Sequence, residues 1–337
     1  MSCAIDRIVA YSLTNHWNLT PDMLAVVADV LASKIAAVNR DPAVIEASLA
    51  KRKNLPQPRQ GNTAVIPVYG VLAPRGNLFN DVSGMTSYDD LTNQLRAAVA
   101  DKTIRNILLD VDSPGGSVAG NSEFAQEVMK ARRSKPVVAQ AQYVMASAAY
   151  QIGAAATEIV GAPSAQIGGI GTYSIHNDLS KALEQLGIKR TYISAGEGKV
   201  DGNETEPLSA RALGRRQLAV NQAYDMFVTN VVRGRGAGVT ADQVRNEWKA
   251  DVYSAADAKD IGMIDRVATL DETLNRLTEG EPADDAARQE RLTTDTPQAR
   301  DLGSGQDRRQ DREFERFTFE LQLLRLTEEQ EHASHQH

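Results

Sequence analysis

The chain is nearly without cysteine. Cys3 is the sole thiol in 337 residues, so no intramolecular disulfide framework holds the fold. It also lacks any run of about 18–20 uninterrupted apolar residues, the length a membrane-spanning helix needs. The most apolar N-terminal stretch, residues 23–38, is broken by Asp29, Ser33 and Lys34. It follows Thr20-Pro21, a cap-like start, and the spacing predicts an amphipathic helix over 21–39. The first residues lack a basic segment leading into an apolar core, so they do not read as a secretory signal. An excess of positive charge is missing too: the net charge is −7, which leaves no footprint for nucleic acid. Of five histidines, His332, His335 and His337 sit at the very end, where a frayed terminus explains them better than a metal clip. There is no metal-ligand cluster, no Walker-type phosphate loop and no dinucleotide fingerprint. Gly168-Gly-Ile-Gly171 reads as a tight strand entry. The expectation is a soluble, cytoplasmic protein with no metal, no cofactor, no nucleic-acid partner and no membrane span.

What is present is an ordinary globular composition, 42% hydrophobic and 24% charged, in three regions. Residues 1–61 form an arm with one helix and a basic, proline-containing linker. Residues 62–277 read as a compact α/β domain. Residues 278–337 are rich in charge and poor in apolar side chains until Phe314, a composition that predicts disorder, with a terminal helix over 313–327. Within the central region, strands are predicted at 64–72, 106–112, 137–141, 158–160, 171–176 and 189–194. Helices are predicted at 87–99, 118–133, from Ser147, at 179–186, 209–233 and 254–260. Such alternation favours a mainly parallel, helix-covered sheet.

Three segments carry candidate chemistry. Strand 106–112 runs into Ser113-Pro-Gly-Gly116, where Gly115 and Gly116 can offer backbone N–H groups to an oxyanion. Ser147 lies in a run of small residues, Met145-Ala-Ser-Ala-Ala149, and opens a helix. It is either a helix N-cap or a nucleophile near the positive end of the helix dipole. Lys199 lies in Ser194-Ala-Gly-Glu-Gly-Lys-Val-Asp-Gly202. A lysine serves as a base only when its ammonium form is disfavoured, and the flanking Glu197 and Asp201 work against that. A rival arrangement pairs Ser147 with His176 and Asp178 as a triad, although Asp178 also fits a helix cap.

The order of these pieces resembles the signal peptide peptidase A family of serine–lysine peptidases, on the Clp protease/crotonase fold. The resemblance runs from Val65-Ile-Pro-Val-Tyr-Gly-Val-Leu72 to Ile261-Gly-Met-Ile-Asp265. It is carried by Asp112-Ser-Pro-Gly-Gly116, Met145-Ala-Ser-Ala-Ala-Tyr150, Ile170-Gly-Thr172, Ala195–Gly202 and Tyr253-Ser-Ala-Ala-Asp-Ala258. Within that family the chain is most similar to head-maturation (prohead) proteases of tailed phages.

The resemblance implies that Ser147 is the nucleophile, Lys199 the general base, and Gly115 and Gly116 the oxyanion site. It implies a homo-oligomer with sites at subunit interfaces, and capsid, scaffold or portal proteins as substrates. Many relatives carry a serine in a Gly-Ser-Ile-Gly segment that orients the lysine; here that place holds Gly169. Many cellular members carry an N-terminal membrane anchor, and its absence favours capsid maturation over signal-peptide clearance. The alternatives are a non-enzymatic assembly or scaffold protein, a cellular signal-peptide-degrading peptidase, and an acyl-CoA enzyme of the same fold.

Overall fold

The computed structural model describes residues 17–19, 59–75 and 85–280. The helix expected at 21–39 and the charged tail beyond Gly280 lie outside the described residues. The chain forms two compact units, with His176–Ala219 separate from the segments up to Ile175 and from Val220 onward.

The first unit contains β1 (Trp17–Leu19), β2 (Arg59–Gln60), β3 (Thr63–Tyr69), β4 (Leu72–Ala73), β5 (Thr86–Ser87), α1 (Tyr88–Ala100), β6 (Asn106–Ser113) and β7 (Gly115–Ser117). It continues with α2 (Asn121–Ser134), β8 (Val137–Ala146), α3 (Ala148–Ala154), β9 (Glu158–Gly161) and β10 (Gln166–Gly168). The second unit holds α4 (Ser180–Gln185) and the start of α5 (Ala210–Arg235). The rest of α5 belongs to the first unit. A π-helical turn (Gln243–Trp248), β11 (Val252–Ser254), α6 (Ala255–Asp260), β12 (Arg266–Val267) and α7 (Leu270–Glu279) complete the first unit.

β3, β6 and β8 pair in parallel, and β8 then pairs in parallel with β9 and, further along, with β10. Antiparallel β2 and β11 close the two edges. A smaller sheet runs β1-β7-β4-β5. The central strands are apolar on both faces, as a sheet covered on both sides requires. Leu109, Val111 and Ala139 join α1, α2, α3 and α5 in the main core, through Leu91, Leu95, Phe124, Val128, Ile152 and Phe227. Leu108, Val138 and Val160 point the other way, under Leu274 and Leu277 of α7.

The α/β alternation is as expected, with corrections in detail. β8 runs to Ala146, directly up to Ser147. α7 continues to Glu279, opened by a capping box between Thr269 and Glu272; the sequence reading did not single it out. Residues 171–176 do not form a strand. The ladder runs earlier, as β10, and Gly168 and Gly169 turn the chain out of it with φ of 134° and 66°. Residues 189–194 do not form one either. β-branched side chains suit a strand only when a neighbour pairs with it, and among the described residues the second unit holds no other strand.

Candidate functional site

Ser87 and Ser254, like Ser147, stand directly before helices. Ser87 has φ −90° and ψ 134°, and its hydroxyl accepts from the Asp90 N–H at 3.2 Å. Ser254 has φ −62° and ψ 158° and accepts from the Asp257 N–H at 3.2 Å. Both are N-caps in extended backbone, as capping requires. Ser147 differs on each count: φ is 55°, ψ is −120°, and its side chain makes no capping bond.

Among the described residues, Ser147 shares a positive φ with one other non-glycine residue, Lys249. Such a conformation costs roughly 1–3 kcal/mol and persists where surrounding contacts impose it. The contacts are present. The Ser147 N–H donates to the Gly168 carbonyl at 2.7 Å, and its carbonyl accepts from the Gln151 N–H at 3.0 Å. The N-cap alternative therefore fails, and a sharp strand-to-helix elbow takes its place.

The helix behind the elbow is fixed from all sides. Every residue of α3 is buried. Gln151 joins a buried polar chain that spans three helices. Asn121 donates to Gln151 at 2.9 Å, Gln151 donates to the Ser122 hydroxyl at 3.1 Å, and Asn230 donates to the same hydroxyl at 2.9 Å. Buried side-chain networks of this kind favour one packing arrangement, although Asn121 Oδ1 has no partner here.

Gly115 and Gly116 lie in β7, which packs against α3, so the glycine strand and the serine elbow share one corner of the unit. The Gly115 N–H donates to Ser113 Oγ at 3.2 Å, and Ser113 Oγ donates to the Gly70 carbonyl at 2.6 Å. A Cβ on Gly116 would fall 2.1 Å from the Leu72 carbonyl oxygen, so no other residue fits there without moving β4. Gly169 also has a physical reason. Its φ of 66° disfavours any side chain, and a Cβ there would lie 3.4 Å from the Ser147 nitrogen. The backbone at this place suits glycine better than the serine of the resembling family.

Lys199 belongs to the second unit, whereas Ser147 belongs to the first. It sits exposed in a run of turns between Gly196 and Gly202. The two acids that flank it are occupied: Arg211 donates to Glu197 at 2.9 Å and pairs with Asp201 at 2.9 Å. Arg216 holds the Gly202 carbonyl at 3.0 Å. Both arginines come from the first turns of α5. Sequence reasoning missed Arg211; its spacing of ten and fourteen residues from the acids carries no local signal.

The rival triad is not assembled. The Asp178 carboxylate accepts from the Ser180 N–H at 2.9 Å. The Ser180 hydroxyl and N–H hold that carboxyl below the usual carboxylate range. Neither ring nitrogen of His176 has a hydrogen-bond partner, so the His–Asp link is absent. Among the described residues no group of His, Cys, Asp or Glu is placed to hold a metal ion, and no helix is long and apolar enough to cross a membrane.

Comparison with known proteins places these features. Residues 129–283, which include Ser147 and Lys199, match the model of Peptidase family S49. Capsid assembly protease C of Escherichia phage lambda is 34% identical over 204 residues, 60% of this chain and 46% of that protein. Head-tail preconnector protein GP5 of Enterobacteria phage P21 is 33% identical over 212 residues, covering 63% and 42%. Protease 4 of Salmonella typhi is 29% identical over 220 residues, covering 65% and 34%. The chain thus spans less than half the length of each of these three. Among solved structures, a membrane-bound stomatin-specific protease bound to a substrate peptide aligns with a TM-score of 0.37 and 18% identity, over 64% of this chain and 80% of that one. The segment that carries the strained serine, the buried helix behind it and the braced lysine loop thus matches Peptidase family S49.

Proposed function

We propose that this chain is a serine endopeptidase with a Ser147–Lys199 dyad that processes capsid, scaffold or portal proteins during phage head maturation. One observation carries the reading. A serine held at positive φ, 2% exposed and free of any capping role, stands at the end of a central strand beside a glycine strand. The phage lambda relative, a capsid assembly protease, supports capsid proteins as the substrate class.

In the mechanism, neutral Lys199 Nζ takes the proton of Ser147 Oγ as that oxygen attacks the scissile carbonyl carbon. The resulting oxyanion is held by backbone N–H groups of Gly115 and Gly116, the first of which must turn from Ser113 Oγ to do so. Collapse expels the amine, which takes the proton from Lys199. Water then attacks the acyl-enzyme by the same proton route and frees the acid and Ser147. No metal or cofactor enters these steps.

A lysine base requires desolvation, and Lys199 is exposed in the single chain. The second unit also exposes Leu186, Ile188 and Ile193, the last at 98%. Burial of these side chains against a neighbouring copy favours a homo-oligomer, working in the host cytoplasm or inside the prohead, in which the lysine loop becomes covered. Processing of co-expressed capsid, scaffold and portal proteins is the test. Cleavage that persists unchanged with Ser147→Ala would falsify the reading.

Arg211 has a place in this scheme as a positioning residue, since it neutralises the two carboxylates beside the base. Arg211→Gln is expected to lower turnover at neutral pH by roughly tenfold, because two uncompensated carboxylates beside the base favour its ammonium form. The rising limb of the pH–rate profile should move to higher pH, and Arg211→Lys should restore most of the loss. An unshifted profile would reduce Arg211 to a loop brace.

A further inference from the structure

β7 has two neighbours in the smaller sheet. β4 lies parallel on one side, with Leu72 opposite Gly116. β1 lies antiparallel on the other, with Trp17 opposite Ser117, Asn18 opposite Gly116 and Leu19 opposite Gly115. Among the described strands β1 pairs with β7 alone, so β1 is the outer strand and covers an edge that β7 would otherwise present.

An open strand edge offers a row of N–H and C=O groups, and an extended peptide adds to it as a further strand. A peptide that brings its scissile carbonyl to a β7 N–H on the edge away from β4 and stays extended there pairs with β7 as a strand; adjacent residues of β7 face opposite edges, so one of Gly115 and Gly116 donates on that side. The chain's own residues 17–19 already pair with that backbone. Incoming peptide and β1 therefore contend for the same strand.

We propose that residues 17–19 are an internal occupant of the peptide-binding edge of β7, which an extended substrate segment must displace. The identity of the incoming strand rests on the peptidase reading above; the occupancy itself does not. Displacement is within reach because the pairing is three residues long and Pro21 cannot extend the ladder as a donor. The eight-stranded sheet keeps all its pairings when β1 leaves.

The test uses the full chain with Ser147→Ala, so that bound peptide is not consumed. The probe is a fluorescent synthetic peptide with the sequence of residues 13–23. One variant adds Asn18→Pro; a second adds Trp17→Pro and Leu19→Pro. Alternate residues of an antiparallel strand aim their N–H groups at the partner, so one of the two variants removes those facing β7.

The probe should bind that variant about tenfold more tightly than the parent, the effect of an occupant that fills the edge in roughly nine molecules of ten. Equal affinity for all three chains, or binding to none, overturns the proposal. Should both proline variants fail to fold, hydrogen exchange in the parent decides. Saturating probe must speed exchange at residues 17–19, and unchanged exchange refutes the occupant. Fluorophosphonate labelling of the chain with native Ser147 keeps the two ideas apart. Competition without labelling removes the peptidase reading alone, and labelling without competition removes the occupant alone.

Discussion

The Lys199→Ala chain is expected to react with a fluorophosphonate about 10²–10⁴ times more slowly than the wild-type chain, the range a positioned general base contributes. Ser147→Ala should not be labelled at all. The probe reads the activation of a serine hydroxyl, so it needs no knowledge of the cleavage site. An unactivated serine hydroxyl is a weak nucleophile. Each sample's oligomeric state should be recorded, because the lysine loop is exposed in the single chain. A wild-type oligomer that labels at Ser147 equally well without Lys199 would remove the dyad, even if the serine is reactive. Labelling that survives Ser147→Ala would move the reaction to another serine.

A single methyl group at Gly116 should be nearly as damaging. Alanine there places its Cβ 2.1 Å from the Leu72 oxygen and 2.6 Å from the Leu72 nitrogen, both backbone atoms of β4. Neither can rotate away, so β4 and β7 must separate, and the N–H groups of β7 lose their aim. Loss of one oxyanion donor costs about 10²–10³ in rate. Gly116→Ala should lower the labelling rate by that order and also lower the melting temperature. Gly214→Ala is the matched control, since it lies in α5 with nothing within 4 Å of its Cβ. It should leave labelling unchanged and be neutral to slightly stabilising. A wild-type rate in Gly116→Ala would exclude β7 from the oxyanion site.

Much of the framework was legible because it rests on local pattern. The apolar strands, the capping serine at 87, the short helix near 254–260 and the long helix from Ala210 each carry their signal within a dozen residues. The strands expected at 171–176 and 189–194 fail for a non-local reason: β-forming composition is not pairing, and pairing is settled by what lies alongside. The candidate site divides in the same way. The residue types and their order suggested Ser147 and Lys199, but the sequence left Ser147 open between cap and nucleophile. Backbone geometry removes the cap, through a φ of 55° that no composition announces. Arg211 was invisible because its partners come from a preceding loop. Glu197 and Asp201 looked like a burden on the lysine until the fold supplied their counter-charge.

The elbow at Ser147 exists only as a product of tertiary structure. Its backbone is held by the Gly168 carbonyl from a later strand and by a helix whose seven residues are all buried. A chain still being synthesised, or one partly unfolded, has neither, and its serine relaxes to an ordinary hydroxyl. In the proposed dyad, reactivity at this residue would be acquired at the end of folding and surrendered at the first step of unfolding. On that reading a misfolded copy would be an inert one.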